Sequence, residues 1–124
     1  MDKTTLVDKY ITDGKILIKA LESGDFAVDT AMWFYSEESD EWQLLIATPI
    51  VEENGPKEAY RQIQAILADL PSFSISLRDI SVLSPSNSLI STIKSAVRHS
   101  RDIILKGAVI NGTLINDAYI YCVA

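Results

Sequence analysis

Residues 30–47 read Thr-Ala-Met-Trp-Phe-Tyr-Ser-Glu-Glu-Ser-Asp-Glu-Trp-Gln-Leu-Leu-Ile-Ala. Two apolar, aromatic-rich runs flank six polar residues, four of them acidic. This pattern predicts a β-hairpin with an acidic tip. With the turn centred between Glu38 and Ser39, Tyr35 faces Trp42, Trp33 faces Leu44 and Ala31 faces Ile46. Side chains alternate along a strand, so these six share one wholly apolar face. The reverse face pairs Phe34 with Gln43, Met32 with Leu45 and Thr30 with Ala47. It is half apolar, which is more than a solvated sheet face carries. A helix or another subunit is therefore expected over it, and Met32, Phe34 and Leu45 are candidate partner-binding residues.

Upstream of the hairpin, Val7, Tyr10, Ile11, Gly14, Leu17, Ile18 and Leu21 recur every three or four residues. That spacing predicts a helix over 5–23, capped by Thr4 or Thr5 and ended by Gly24. Gly14 falls inside the apolar stripe. Glycine there costs about 1 kcal/mol against alanine, so close packing against the sheet is its expected role.

Downstream, the second strand is expected to run to Val51, with an edge position or bend at Pro49. Asn54-Gly55-Pro56 opens a second helix, with Pro56 at its first position and Pro71 as its stop. Phe73, Ile75 and Leu77 alternate with serines and Arg78. They predict a half-buried strand that continues through Ile80, Val82 and Leu83 after a bulge near Arg78-Asp79. Ser84-Pro85-Ser86-Asn87-Ser88 opens a third helix, whose basic end is Arg98 to Arg101.

Asn111-Gly112 between apolar runs predicts a two-residue hairpin turn over 103–123. It pairs Ile110 with Thr113, Lys106 with Asp117 as a cross-strand ion pair, and Ile103 with Ile120. Cys122 is then expected to share a face with Leu114, Ala118 and Ile120. The expected fold is α+β: one domain over 1–124, a two-layer αββαβαββ arrangement with a mainly antiparallel five-stranded sheet and helices packed on it.

Composition bounds the function. Net charge is −6, and the pI is near 4.6. A nucleic-acid partner is not expected without a basic face. No run approaches the ~18 apolar residues of a membrane span. The single cysteine excludes an intramolecular disulfide. The N-terminal stretch lacks the apolar core of a signal peptide, and a cytoplasmic location is expected. One His and one Cys, far apart, give no metal-ligand spacing. His99, between Arg98 and Ser100, has no neighbour to orient it as a base, so no catalytic residue and no cofactor are expected.

Two loop-to-helix junctions remain. Helix N-termini present free N–H groups to anions. Lys57, Ser86, Asn87 and Ser88 are therefore the candidate ligand-binding residues. Charged candidates for partner binding are Glu37 and Glu38 at the acidic tip, and Arg98 and Arg101 at the basic end, where Lys94 and His99 complete the one concentrated positive group. The tip of one copy meeting the basic end of another is the expected mode of charge steering. The leading expectation is a non-enzymatic protein-interaction module that self-associates as a homo-oligomer. The alternatives are a small-molecule (anion or phosphate) binder or enzyme near Lys57 and Ser86, and a structural or assembly subunit.

Overall fold

The computed structural model describes residues 8–36, 38–70, 74–110 and 112–124, with the backbone alone at 108 and 116. The elements are α1 (Asp8–Ser23), β1 (Thr30–Ser36), β2 (Glu41–Ala47), α2 (Ile50–Asn54), α3 (Pro56–Ala68), a 3-10 turn (Leu77–Asp79), β3 (Ile80–Leu83), α4 (Ser88–Val97), β4 (Arg101–Ile110) and β5 (Thr113–Val123). The class is α+β, as the patterning predicts.

The first hairpin has the expected register: Tyr35 opposes Trp42, Trp33 opposes Leu44, and Ala31 opposes Ile46. The second does too, with Ile110 opposite Thr113, Lys106 opposite Asp117 and Ile103 opposite Ile120. Gly112 has φ 80°, the left-handed conformation that an Asn-Gly turn requires; Asn111 lies outside the described residues. Lys106 and Asp117 stand opposite each other without closing an ion pair.

The strand order is β3-β2-β1-β5-β4. β1 joins β2 and β5 antiparallel, and β4 joins β5 antiparallel, but β2 joins β3 parallel. The sheet is mixed rather than mainly antiparallel. The cause is the helical crossover through α2 and α3, which returns the chain beside β2 in the same direction.

The layering also differs from the two-layer expectation. Leu17, Ile18 and Leu21 of α1 and Ala59 and Ile63 of α3 pack with Ala31, Trp33, Leu44, Ile46 and Val82. Ile90 and Ile93 of α4 pack with Met32, Leu45, Ala47, Ala118 and Ile120. Alternate residues of β1 enter different cores, so helices cover both faces and the fold has three layers.

Three local readings are corrected. β2 ends at Ala47 and does not reach Val51. The Thr48 hydroxyl accepts the Ile50 N–H at 3.3 Å, and Pro49, at φ −63° and ψ −15°, starts the short α2. Residues 74–79 are not strand: the Asp79 carboxylate takes the Ser76 N–H at 2.9 Å and folds a 3-10 turn. Ser74 N–H donates to Asp13 of α1 at 3.0 Å, which ties that loop to the helix; Phe73 lies outside the described residues. Finally, β1 and β5 shift register between Ala31 and Met32, leaving Tyr121 as an extra residue. The shift turns Cys122 toward Ala31 and the α1 side, away from Ala118 and Ile120. Burial pushes its thiol pKa up.

Tyr121 reaches α1 through that bulge. Its hydroxyl accepts Trp33 Nε1–H at 2.9 Å and donates to the Ile11 carbonyl at 2.7 Å. Burial raises the phenol pKa, so the group stays protonated. Gly14 lies directly against this hydroxyl, which is the close approach its place in the stripe predicts.

Candidate interaction surface

Met32 and Leu45 lie inside the second core, fully buried and 6% exposed respectively, and Phe34 packs half-buried at its margin. The cover over them is α4. Met32 and Leu45 thus pack against Ile90 and Ile93 rather than facing solvent, and Phe34 is half-covered. Each such buried aliphatic side chain contributes about 1.5–3 kcal/mol to the fold instead.

The loop before α4 already holds an anion of its own. The Ser84 hydroxyl donates to the Glu52 carboxylate, and Ser86 Oγ donates to the same oxygen at 3.2 Å. Ser86 N–H donates to Ser84 Oγ at 3.1 Å. Asn87 caps α4 by accepting the Leu89 N–H at 2.9 Å, and the Ser88 carbonyl accepts the Thr92 hydroxyl. Lys57 is exposed on the first turn of α3. Of the hydroxyls expected to face a ligand, that of Ser86 thus binds a carboxylate from α2, and a second anion there would meet its charge.

The basic end is not one patch on a helix. α4 stops at Val97; Arg98 is its C-cap, His99 adopts φ 62°, and Arg101 begins β4. Arg98 and Arg101 are both exposed. Lys94 leaves the group altogether: its Nζ sits 3.1 Å from both Asp29 oxygens, with the two side chains 19% and 17% exposed. Asp29 also takes the Thr30 hydroxyl at 2.9 Å. This pair locks α4 to the start of β1. A Lys94→Met variant strands a mostly buried carboxylate and is expected to lose about 1.5–3 kcal/mol; a urea midpoint equal to the parent's would refute it. At the acidic tip, Glu38 is exposed, Asp40 takes the Tyr35 hydroxyl, and Glu37 lies outside the described residues.

The surface left open is one the sequence pattern hid. Ile104, Val109 and Leu114 are 61%, 67% and 55% exposed, and all three belong to the second hairpin. Val109 and Leu114 are a cross-strand pair, and Ile104 opposes the half-buried Tyr119. β4 is also an edge of the sheet, ten residues long. The opposite edge, β3, is four residues long, and its Val82 N–H donates to Tyr60 Oη of α3 at 3.0 Å. The two edges therefore differ: the short one is blunted, and the long one is not. The signal in the sequence was the apolar run Ile103-Ile104-Leu105. Only Ile103 and Leu105 pack into the second core, and Ile104, by alternation, is left outside.

Among the described residues, no group of three or more His, Cys, Asp or Glu side chains is placed to hold a metal ion, and no helix is long and apolar enough to cross a membrane. Comparison with protein-family models, with curated proteins and with solved structures finds no match.

Proposed function

We propose that this chain is a non-enzymatic interaction module that self-associates through its second hairpin. The observation that carries the reading is the placement of three large exposed hydrophobic side chains, Ile104, Val109 and Leu114, on the hairpin that also forms the open edge of the sheet. Large apolar side chains gathered on an open edge favour a partner over water. The apolar reverse side of the first hairpin, the other surface the sequence offered, is spent on α4.

Sedimentation velocity over a concentration series tests this. The parent protein should sediment above the monomer mass. An Ile104→Lys variant, changed at a side chain that is already 61% exposed, should keep its fold and sediment as a monomer. A parent that stays monomeric at every concentration removes self-association.

A further inference from the structure

β4 is the open edge, and its sequence complements itself in one register. We propose that two copies of this chain pair β4 against β4, antiparallel, about a two-fold axis at Ile104, so that one sheet runs through both molecules. This rests on the self-association proposed above, and adds the geometry of its interface.

A two-fold axis normal to the sheet keeps each face on its own side. Residues directly opposite must then belong to the same face, which leaves registers centred on a residue. Centring on Ile103 sets Asp102 against Ile104 and Arg101 against Leu105. Centring on Leu105 sets Lys106 against Ile104 and Arg101 against Val109. Each of these places charge against hydrocarbon. Centring on Ile104 sets Asp102 against Lys106 at both ends and Ile104 against its own copy. Asp102, Ile104 and Lys106 are all exposed, so none must leave a core to make these contacts. Opposite charges directly across an antiparallel pair attract, and like charges repel.

The backbone bounds the contact. Asp102 and Gly107 have φ 53° and 60°, and these left-handed residues bound the contact, which runs from Asp102, as its end residue, to Lys106 and not along the whole strand. A two-fold contact uses the same edge on both copies and so closes at a dimer. The β3 edges at the far ends are short and served by Tyr60, which stops further growth.

A charge exchange in two separate variants tests the register. Lys106→Asp sets Asp against Asp102, and Asp102→Lys sets Lys against Lys106. Each variant alone should dimerise about tenfold more weakly or worse. Mixed in equal amounts, they restore both attractive pairs, and sedimentation velocity should show the dimer return. Circular dichroism confirms that each is folded; Lys106→Glu with Asp102→Arg repeats the test if either first variant is not. A mixture that stays monomeric, or single variants that dimerise as the parent does, overturns this register. If Ile104→Lys still dissociates the parent dimer in that case, self-association stands with a different geometry. A monomeric parent overturns both.

Discussion

Gly14→Ala is expected to destabilise the fold by about 2–4 kcal/mol, although alanine is the better helix former by about 1 kcal/mol. A Cβ at position 14 would sit 2.1 Å from Tyr121 Oη, 2.8 Å from Tyr121 Cζ and 2.9 Å from Trp33 Nε1. Neither ring has room to retreat. Tyr121 is held by bonds to Trp33 and to the Ile11 carbonyl, and it packs on Tyr119 with ring centroids 5.2 Å apart. Trp33 is 2% exposed and lies edge-on to Tyr10 at 5.9 Å. Relief must come from α1 lifting away, which loosens Leu17 and Leu21 in the core beneath it.

Urea unfolding should show a lower midpoint at an unchanged slope. Tyr121→Phe alone leaves the buried Trp33 N–H without an acceptor and should cost about 1–3 kcal/mol. The double variant should cost less than the sum, because removing the hydroxyl removes the closest clash. Rescue should be partial, since the 2.8 and 2.9 Å contacts remain. A Gly14→Ala protein as stable as its parent would show that α1 does not press on Tyr121.

Features set by neighbours in the chain were legible. Both hairpin registers followed from alternation and turn chemistry, because a one-residue slip would have moved every apolar side chain to the wrong face. The close approach at Gly14 followed from a glycine inside an apolar helical stripe. Features set by distant partners were not. Nothing local in Ile80 to Leu83 says that it runs parallel to β2, or that Tyr60 of α3 covers its edge. The extra residue at Tyr121 depends on how β5 meets β1, and it reversed the face on which Cys122 lies.

The partners that surround the candidate site residues were hidden for the same reason. Ser86 read as a free hydroxyl because Glu52, 34 residues away, was not visible as its acceptor. Lys94 read as part of a basic patch because Asp29, 65 residues away, was not visible as its partner. Exposure of Ile104 was hidden inside an apolar run, since two of its three isoleucine and leucine side chains do enter a core.

Met32→Lys separates a core residue from a surface one. Met32 stands fully buried opposite Leu45 on β2 and Ile120 on β5, in the core that Ile90 and Ile93 of α4 close. The apolar side chains packed there are aliphatic, with Phe34 at the margin, and the Asp29 carboxylate at the start of β1 is already paired with Lys94. Burying an unpaired charge costs several kcal/mol even after relaxation, and the lost methionine packing adds about 2 kcal/mol more. Together these approach the about 5–15 kcal/mol that holds a whole domain. The variant is therefore expected to be largely unfolded at 25 °C, with lost near-ultraviolet dichroism. Ile104→Lys carries the same new charge on the same sheet and should leave the melting temperature within a few degrees of the parent while abolishing the proposed self-association. If Met32→Lys folded normally and only lost self-association, α4 would not be the cover of that face, and the first hairpin would return as the partner surface.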